Sequence, residues 1–269
     1  MYPDPIISLG NGGFGLTLYD ILVAVALVVA MLLCDKMTQH RGFSVELQKL
    51  VIVGILLCVT LGFGSAVLFQ AFYNFLADGK FEIALNTGAT FYGGLLGGAG
   101  VFLLVWFVGG KLYLKGENKG EEIRRFKDML DIAACCVPLA HAIGRLGCLC
   151  AGCCHGAITD AWYGVYIRFS SIASVKVVPI PLFESIFLFA LSAVLIWLFY
   201  KKPNKIPLMP TYCGGYGIWR FVIEFFRNDD RGATIVSWLT PSQLVALLLT
   251  VFAIVYFVIW IINKKKKTE

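Results

Sequence analysis

The sequence predicts an all-α, polytopic integral membrane protein with about seven transmembrane helices, its N-terminus outside and its C-terminus cytoplasmic. Three observations carry that expectation. Of 269 residues, 58% are hydrophobic and 15% charged, with a mean hydropathy of +0.77, a composition that no water-soluble fold of this length accommodates. Seven segments are long enough to cross roughly 30 Å of hydrocarbon at about 1.5 Å per residue. The basic residues gather in alternate loops.

Segment 18–34 follows a start, Met1-Tyr2-Pro3-Asp4-Pro5, with no basic region, and nothing after Cys34 resembles a cleavage site, so it is expected to stay as a span. Segment 50–69 carries no charge. Segment 89–108 follows directly on Thr87-Gly88 in the run TGATFYGGLLGG, where Gly93, Gly94, Gly97 and Gly98 lack side-chain bulk and let a helix or lipid headgroup approach. Tyr92 there lies a turn or two below the surface. The linker 109–128 alternates charge signs and reads as a solvated loop with a short surface helix near 121–126. Segments 129–150 and 212–226 carry glycine and charge but have spanning length. Segment 180–200, opening on Pro179-Ile180-Pro181, and segment 244–262 complete one helical domain over residues 1–269.

With seven crossings, Lys36, Arg41, Lys49, six residues from Lys111 to Lys127, Lys201, Lys202, Lys205 and Lys264 to Lys267 share one side. Lys80, Arg168, Lys176, Arg227 and Arg231 fall on the other, which gives sixteen against five and makes the first side cytoplasmic. The net charge of +6 is thus a topology and anionic-lipid signal. No aqueous module remains to bind nucleic acid. A monomer is expected.

The fourth segment moves outward from Asp131, setting His141 mid-membrane and Arg145 near the outer interface. A guanidinium stays charged there, so it snorkels, pairs with a carboxylate or holds an anion. Its flanking glycines predict a broken helix with free backbone N–H groups for a phosphate. In YGIWRFVIEFFR, residues 216–227, Arg220 and Glu224 are four apart on one helix face. They form either a local salt bridge or, with Arg145 and Arg227, a grip on a phosphodiester beside a carboxylate that moves a proton. Glu184 either caps its helix N-terminus or is a further outer-side carboxylate. Trp162, Tyr163, Tyr166, Trp219 and Trp238 fit an interfacial belt.

GRLGCLCAGCCHG, residues 144–156, admits several readings. Cys148, Cys150, Cys153, Cys154 and His155 suit a soft metal, with Cys135, Cys136 or Cys213 as distant ligands. They equally suit a disulfide pinning a broken helix, or a thiol made reactive by Arg145. Cys34 and Cys58 read as small buried hydrophobes.

The chain resembles the prolipoprotein diacylglyceryl transferase family over most of its length. The resemblance rests on Tyr19, FYGGLLG, GRLG at 144–147 with Gly152 and Gly156, Pro181-Leu182-Phe183-Glu184, YGIWRFVIEFFRNDD and LTPSQL at 239–244. It implies a seven-helix inner-membrane enzyme that moves the diacylglyceryl group of phosphatidylglycerol to a lipobox cysteine thiol, with no required cofactor. It implies Arg145, Arg220, Glu224, Tyr92 and Cys153 as catalytic candidates, Cys153 standing where the family has a glutamate and Tyr92 where it has a histidine. Tyr19, Gly93, Gly94, Gly144, Cys148, Gly152 and Arg227 are the candidates for holding phosphatidylglycerol or a related anionic phospholipid, with prolipoprotein as the second partner; no residue is assigned to a metal. Cys148 and Ala151 occupy the family's two asparagine positions. Phosphatidylglycerol-dependent transfer is the first function implied. A divergent member using its own cysteines for acyl transfer or thiol–disulfide chemistry is the second, and a non-catalytic lipid- or metal-binding protein the third.

Overall fold

The computed structural model describes residues 7–9, 14–79, 81–83, 90–167, 174–227 and 238–266. Lys80, Arg168, Arg231 and Lys267 of the charge count, the first five residues, Thr87 to Ala89 and Asn228 to Asp230 lie outside the described residues. A short antiparallel hairpin, β1 (Ile7–Leu9) and β2 (Phe14–Leu16), leads into α1 (Leu18–His40), α2 (Val45–Asp78), α3 (Phe91–Leu104), α4 (Gly110–Tyr113), α5 (Lys119–Arg124) and α6 (Phe126–Ala151). A second hairpin, β3 (Val165–Ile167) and β4 (Val175–Val177), precedes α7 (Ile180–Lys201), α8 (Leu208–Ile223) and α9 (Pro241–Lys265).

Among the described residues, six helical runs are long and apolar enough to cross a membrane: α1, α2, α3 continued into α4 through a π-helical turn at Val105–Gly109, α6, α7 and α9. Helix α8 has 16 residues, about 24 Å of rise. The surface helix expected near 121–126 is α5. One expectation fails: α6 is unbroken through Gly144 and Gly147 and ends only at Gly152. In an apolar surrounding each backbone group needs its helical partner, which outweighs the low helix propensity of glycine.

The chain divides into two compact units, Met1–Leu32 with Leu130–Glu269, and Leu33–Met129. In the Leu33–Met129 unit, Ser44 caps α2 through Leu47 N–H at 3.2 Å, and Gly79 closes it in the left-handed region at φ 71°. Helices α2 and α3 approach backbone to backbone. A Cβ on Gly62 would stand 3.1 Å from Gly98 Cα, one on Gly93 2.6 Å from Phe69 Cβ, and one on Gly94 3.3 Å from Ala66 Cβ. Ser65 Oγ donates to Gly93 O at 3.0 Å across the seam. Trp106 is buried among Phe43, Phe102 and Phe126 and donates to Ile123 O at 3.0 Å. Arg125 lies over the Phe43 ring and donates to the carbonyls of Gly42, at 2.7 Å, and Arg41, tying down the end of α1.

In the other unit, Thr17 and Asp20 exchange hydrogen bonds that start α1. Hydroxyls join α7 to α6: Ser185 donates to Ala142 O at 2.9 Å and Ser192 to Cys135 O at 3.0 Å. Buried Asp131 of α6 accepts from Leu208 N–H at 3.0 Å, setting a carboxylate at the positive end of α8.

Candidate active site

Helices α6, α7 and α8 bring their charged side chains to one buried point, the carboxylate of Glu184. Its side chain is fully buried. Glu184 sits one turn into α7, past the cap formed at Pro179, so it does not cap that helix. The α6 face carries His141 and Arg145, four residues apart and therefore stacked. Arg145 Nε lies 3.0 Å from Glu184 Oε2 and donates to His141 Nε2 at 3.2 Å. From α8, Tyr216 OH donates to Glu184 Oε1 at 3.0 Å, and Arg220 Nη1 stands 3.8 Å from Oε2. The edge of the Tyr216 ring meets His141, centroids 5.3 Å apart, and its face stacks on Tyr212. A lone buried carboxylate is costly, and these two guanidiniums and one phenol compensate it.

Arg220 links this point to a second carboxylate. Its Nη2 lies 2.8 Å from Glu224 Oε2, the i,i+4 pair legible in the sequence, and donates to Ser242 Oγ at 3.0 Å. Arg227 Nε is 3.8 Å from the same Glu224 oxygen. The LTPSQL segment supplies the rest of the support. Thr240 caps α9 in a capping box with Gln243 and also donates through Oγ1 to Glu224 Oε1 at 3.0 Å. Pro241 opens the helix where no N–H is needed, and Ser242 faces Arg220.

The cysteine run follows from the way α6 ends. Gly152, at φ 74°, donates to Leu149 O, and Cys153 N–H donates to Cys148 O at 3.2 Å, the double bond of a Schellman cap. That cap turns the chain back so that Cys153 meets Cys148. Cys154 follows with φ 60°, a left-handed conformation that few non-glycine residues adopt. The sulfurs of Cys148, Cys153 and Cys154 lie within 4.8 Å of one another. No disulfide joins any two cysteines in this structure. Hydrogen bonds from Cys148 and Cys153, and then Arg227, draw the Cys154 thiol well below its ordinary range, while bonding with Cys148 and Cys154 pushes Cys153 up. The backbone bridge between Gly156 and Arg227 holds this turn beside the arginine.

Of the residues singled out in the sequence, Arg145, Arg220, Glu224 and Arg227 are joined through Glu184 and Glu224, and Cys148 and Cys153 through the cap. Tyr19 packs on the same stretch of α6: a Cβ on Gly147 would stand 3.1 Å from Tyr19 Cδ2. Gly144 faces open space, and Gly152 serves the turn. Tyr92, Gly93 and Gly94 belong to the Leu33–Met129 unit, where both glycines face α2. Sequence reasoning passed over Tyr216, Ser242 and Thr240 as site residues and gave Glu184 no more than one of two roles. The signal for Glu184 was a carboxylate inside an apolar run.

The model of the prolipoprotein diacylglyceryl transferase family matches residues 5–259. The chain belongs to that family. A phosphatidylglycerol–prolipoprotein diacylglyceryl transferase of Clostridium tetani (strain Massachusetts / E88) is 30% identical over 249 residues, 91% of this chain and 94% of that protein. The second such transferase of Clostridium perfringens (strain 13 / Type A) is 30% identical over 266 residues, 95% and 96% of the two chains. That of Acinetobacter baumannii (strain SDF) is 28% identical over 276 residues, 98% and 95%. This diacylglyceryl transferase family member is a multi-pass protein of the bacterial inner membrane with a transferase-type role.

Proposed function

We propose that the protein transfers the diacylglyceryl group of phosphatidylglycerol to the thiol of a lipoprotein cysteine at the outer face of the inner membrane. The observation that carries this reading is the convergence of Arg145 and Arg220, from different helices, on one buried carboxylate, that of Glu184. Three guanidiniums, Arg145, Arg220 and Arg227, share two carboxylates, Glu184 and Glu224, which leaves one positive charge in excess. A phosphodiester carries one negative charge. Arg220 Nη1 is buried and makes no hydrogen bond with the described residues, a deficit of about 1–3 kcal/mol that a phosphate oxygen would remove. Arg145, 14% exposed, is the more accessible of the two.

In this reading α8, with the 3₁₀ turn Glu224–Phe226, is the sixth of seven crossings, the N-terminus faces out, and the site opens near the outer leaflet. Arg145 and Arg220 hold the phosphodiester, and Glu184 and Glu224 fix their spacing. The acceptor thiol gives its proton to water and attacks as a thiolate on the glyceryl CH2 carbon next to the phosphate oxygen. That carbon–oxygen bond breaks, its electron pair stays on oxygen, and glycerol phosphate departs with a second negative charge that the guanidiniums stabilise. Full-length protein in vesicles of chain-labelled phosphatidylglycerol should transfer label to a peptide bearing a lipobox cysteine. Arg145→Ala and Arg220→Ala should each lower the rate by about 10²–10³-fold. An unlabelled peptide with the wild-type protein, or undiminished transfer by Arg145→Ala, overturns the reading.

A further inference from the structure

We propose that Cys148, Cys153 and Cys154 form a three-thiolate site for Zn²⁺ whose fourth position is open to an incoming thiol. The choice of thiol as fourth ligand rests on the transfer reaction proposed above; the metal site itself does not.

The geometry is built by the backbone. The Schellman cap sets Cys148 and Cys153 side by side, and the left-handed Cys154 brings the third thiol back to them. With Zn–S bonds of about 2.3 Å, tetrahedral ligands stand about 3.8 Å apart, so sulfurs already within 4.8 Å close by at most about 1 Å. Two guanidiniums stand near the sulfurs. Arg227 lies against Cys154, and Arg145 is within electrostatic reach of Cys148 and Cys154. Three thiolates on Zn²⁺ carry one net negative charge, two less than the thiolates alone. No fourth protein ligand joins the three among the described residues: neither His155 nor Cys150 belongs to the group whose ligand atoms lie within 4.8 Å of one another. Three protein ligands and an open position are the pattern of a zinc ion that works on a ligand, whereas a structural zinc is closed by four. Cys153 is exposed, which gives that position access.

The chemistry fits a reaction whose nucleophile is a thiol. A thiol bound to Zn²⁺ gives its proton to water and becomes a thiolate at neutral pH. Its sulfur forms the bond to the glyceryl carbon as the carbon–oxygen bond breaks toward phosphate. The thioether product is a poor ligand and leaves, and zinc keeps its oxidation state throughout. Neither Glu184 nor Glu224, each held by arginines, is then needed as a base.

The test uses full-length protein in detergent, reduced, stripped with a chelator and titrated with Co²⁺, then with Zn²⁺ in competition. One equivalent of Co²⁺ should give a thiolate-to-metal charge-transfer band that Zn²⁺ abolishes. Cys148→Ser, Cys153→Ser and Cys154→Ser should each weaken binding by more than about 100-fold, and Cys150→Ser should not. A cysteine peptide should convert the cobalt spectrum to that of four sulfur ligands, and its serine counterpart should leave it unchanged. Substoichiometric binding by the wild type, or binding that survives Cys154→Ser, overturns the site. A spectrum blind to the cysteine peptide overturns the open position. Transfer at full rate by metal-free protein removes the zinc step while leaving the transferase reading intact; stoichiometric zinc without transfer in any form does the reverse.

Discussion

In the Leu33–Met129 unit, helices α2 and α3 meet glycine to glycine; in the other unit, α6, α7 and α8 meet charge to charge. The first seam runs Gly62, Ser65, Ala66 and Phe69 against Gly93, Gly94, Gly97 and Gly98, with a serine hydroxyl as its polar tie. The second buries Glu184, Arg145 and Arg220 together. Both join apolar helices, but only the first needs no more than close packing to explain it. Apolar residues of similar volume commonly replace a buried ion network at no loss of stability, so stability is a weak account of the second. A ligand that needs those charges is a better one.

The contrast breaks most readily at Glu184. Glu184→Ala leaves two guanidiniums without their shared carboxylate and should cost about 3–5 kcal/mol. Thermal unfolding in detergent reads that loss, and lipid transfer should fall to background. Gly93→Ala should act differently, because its Cβ would stand 2.6 Å from Phe69 Cβ. It is expected to cost about 1–3 kcal/mol of stability while transfer per folded molecule is kept; lost transfer at unchanged stability would instead make Gly93 a site residue. In metal-free, reduced protein at about pH 6, where an ordinary thiol is less than about 1% ionised, Cys154 should be alkylated at least about 10-fold faster than Cys150. The sign follows from a lowered pKa, which keeps the thiolate present as pH falls, and Arg227→Ala should shrink the difference. Ser192→Ala, which removes one hydroxyl from the α6–α7 contact, should cost only about 0.6 kcal/mol.

How much of this was legible in the sequence depends on whether a residue's meaning is local. Arg145, Arg220 and Glu224 stand out because an ionised group in an apolar run demands a partner, and the i,i+4 spacing names one pair outright. Glu184 was ambiguous because it follows Pro179-Ile180-Pro181, where an acid also suits a helix N-terminus; only the packing of α6 and α8 against α7 decides between the roles. Tyr216 and Ser242 carry no charge and look like ordinary lining. Gly144 and Gly147 suggested a break that the hydrocarbon surrounding disfavours. The cysteine turn was readable in principle, since a glycine at the end of α6 sets the third residue from the end against the one after the glycine.

In the proposed function, the Arg145–Arg220 pair organised by Glu184 holds a lipid phosphate. An experimental density map of the protein with phosphatidylglycerol bound tests it most directly. The phosphate should lie within hydrogen-bonding distance of both guanidiniums, with Arg220 Nη1 as a donor. A phosphate bound elsewhere, with Arg145, Glu184 and Arg220 closed on one another, would overturn that role.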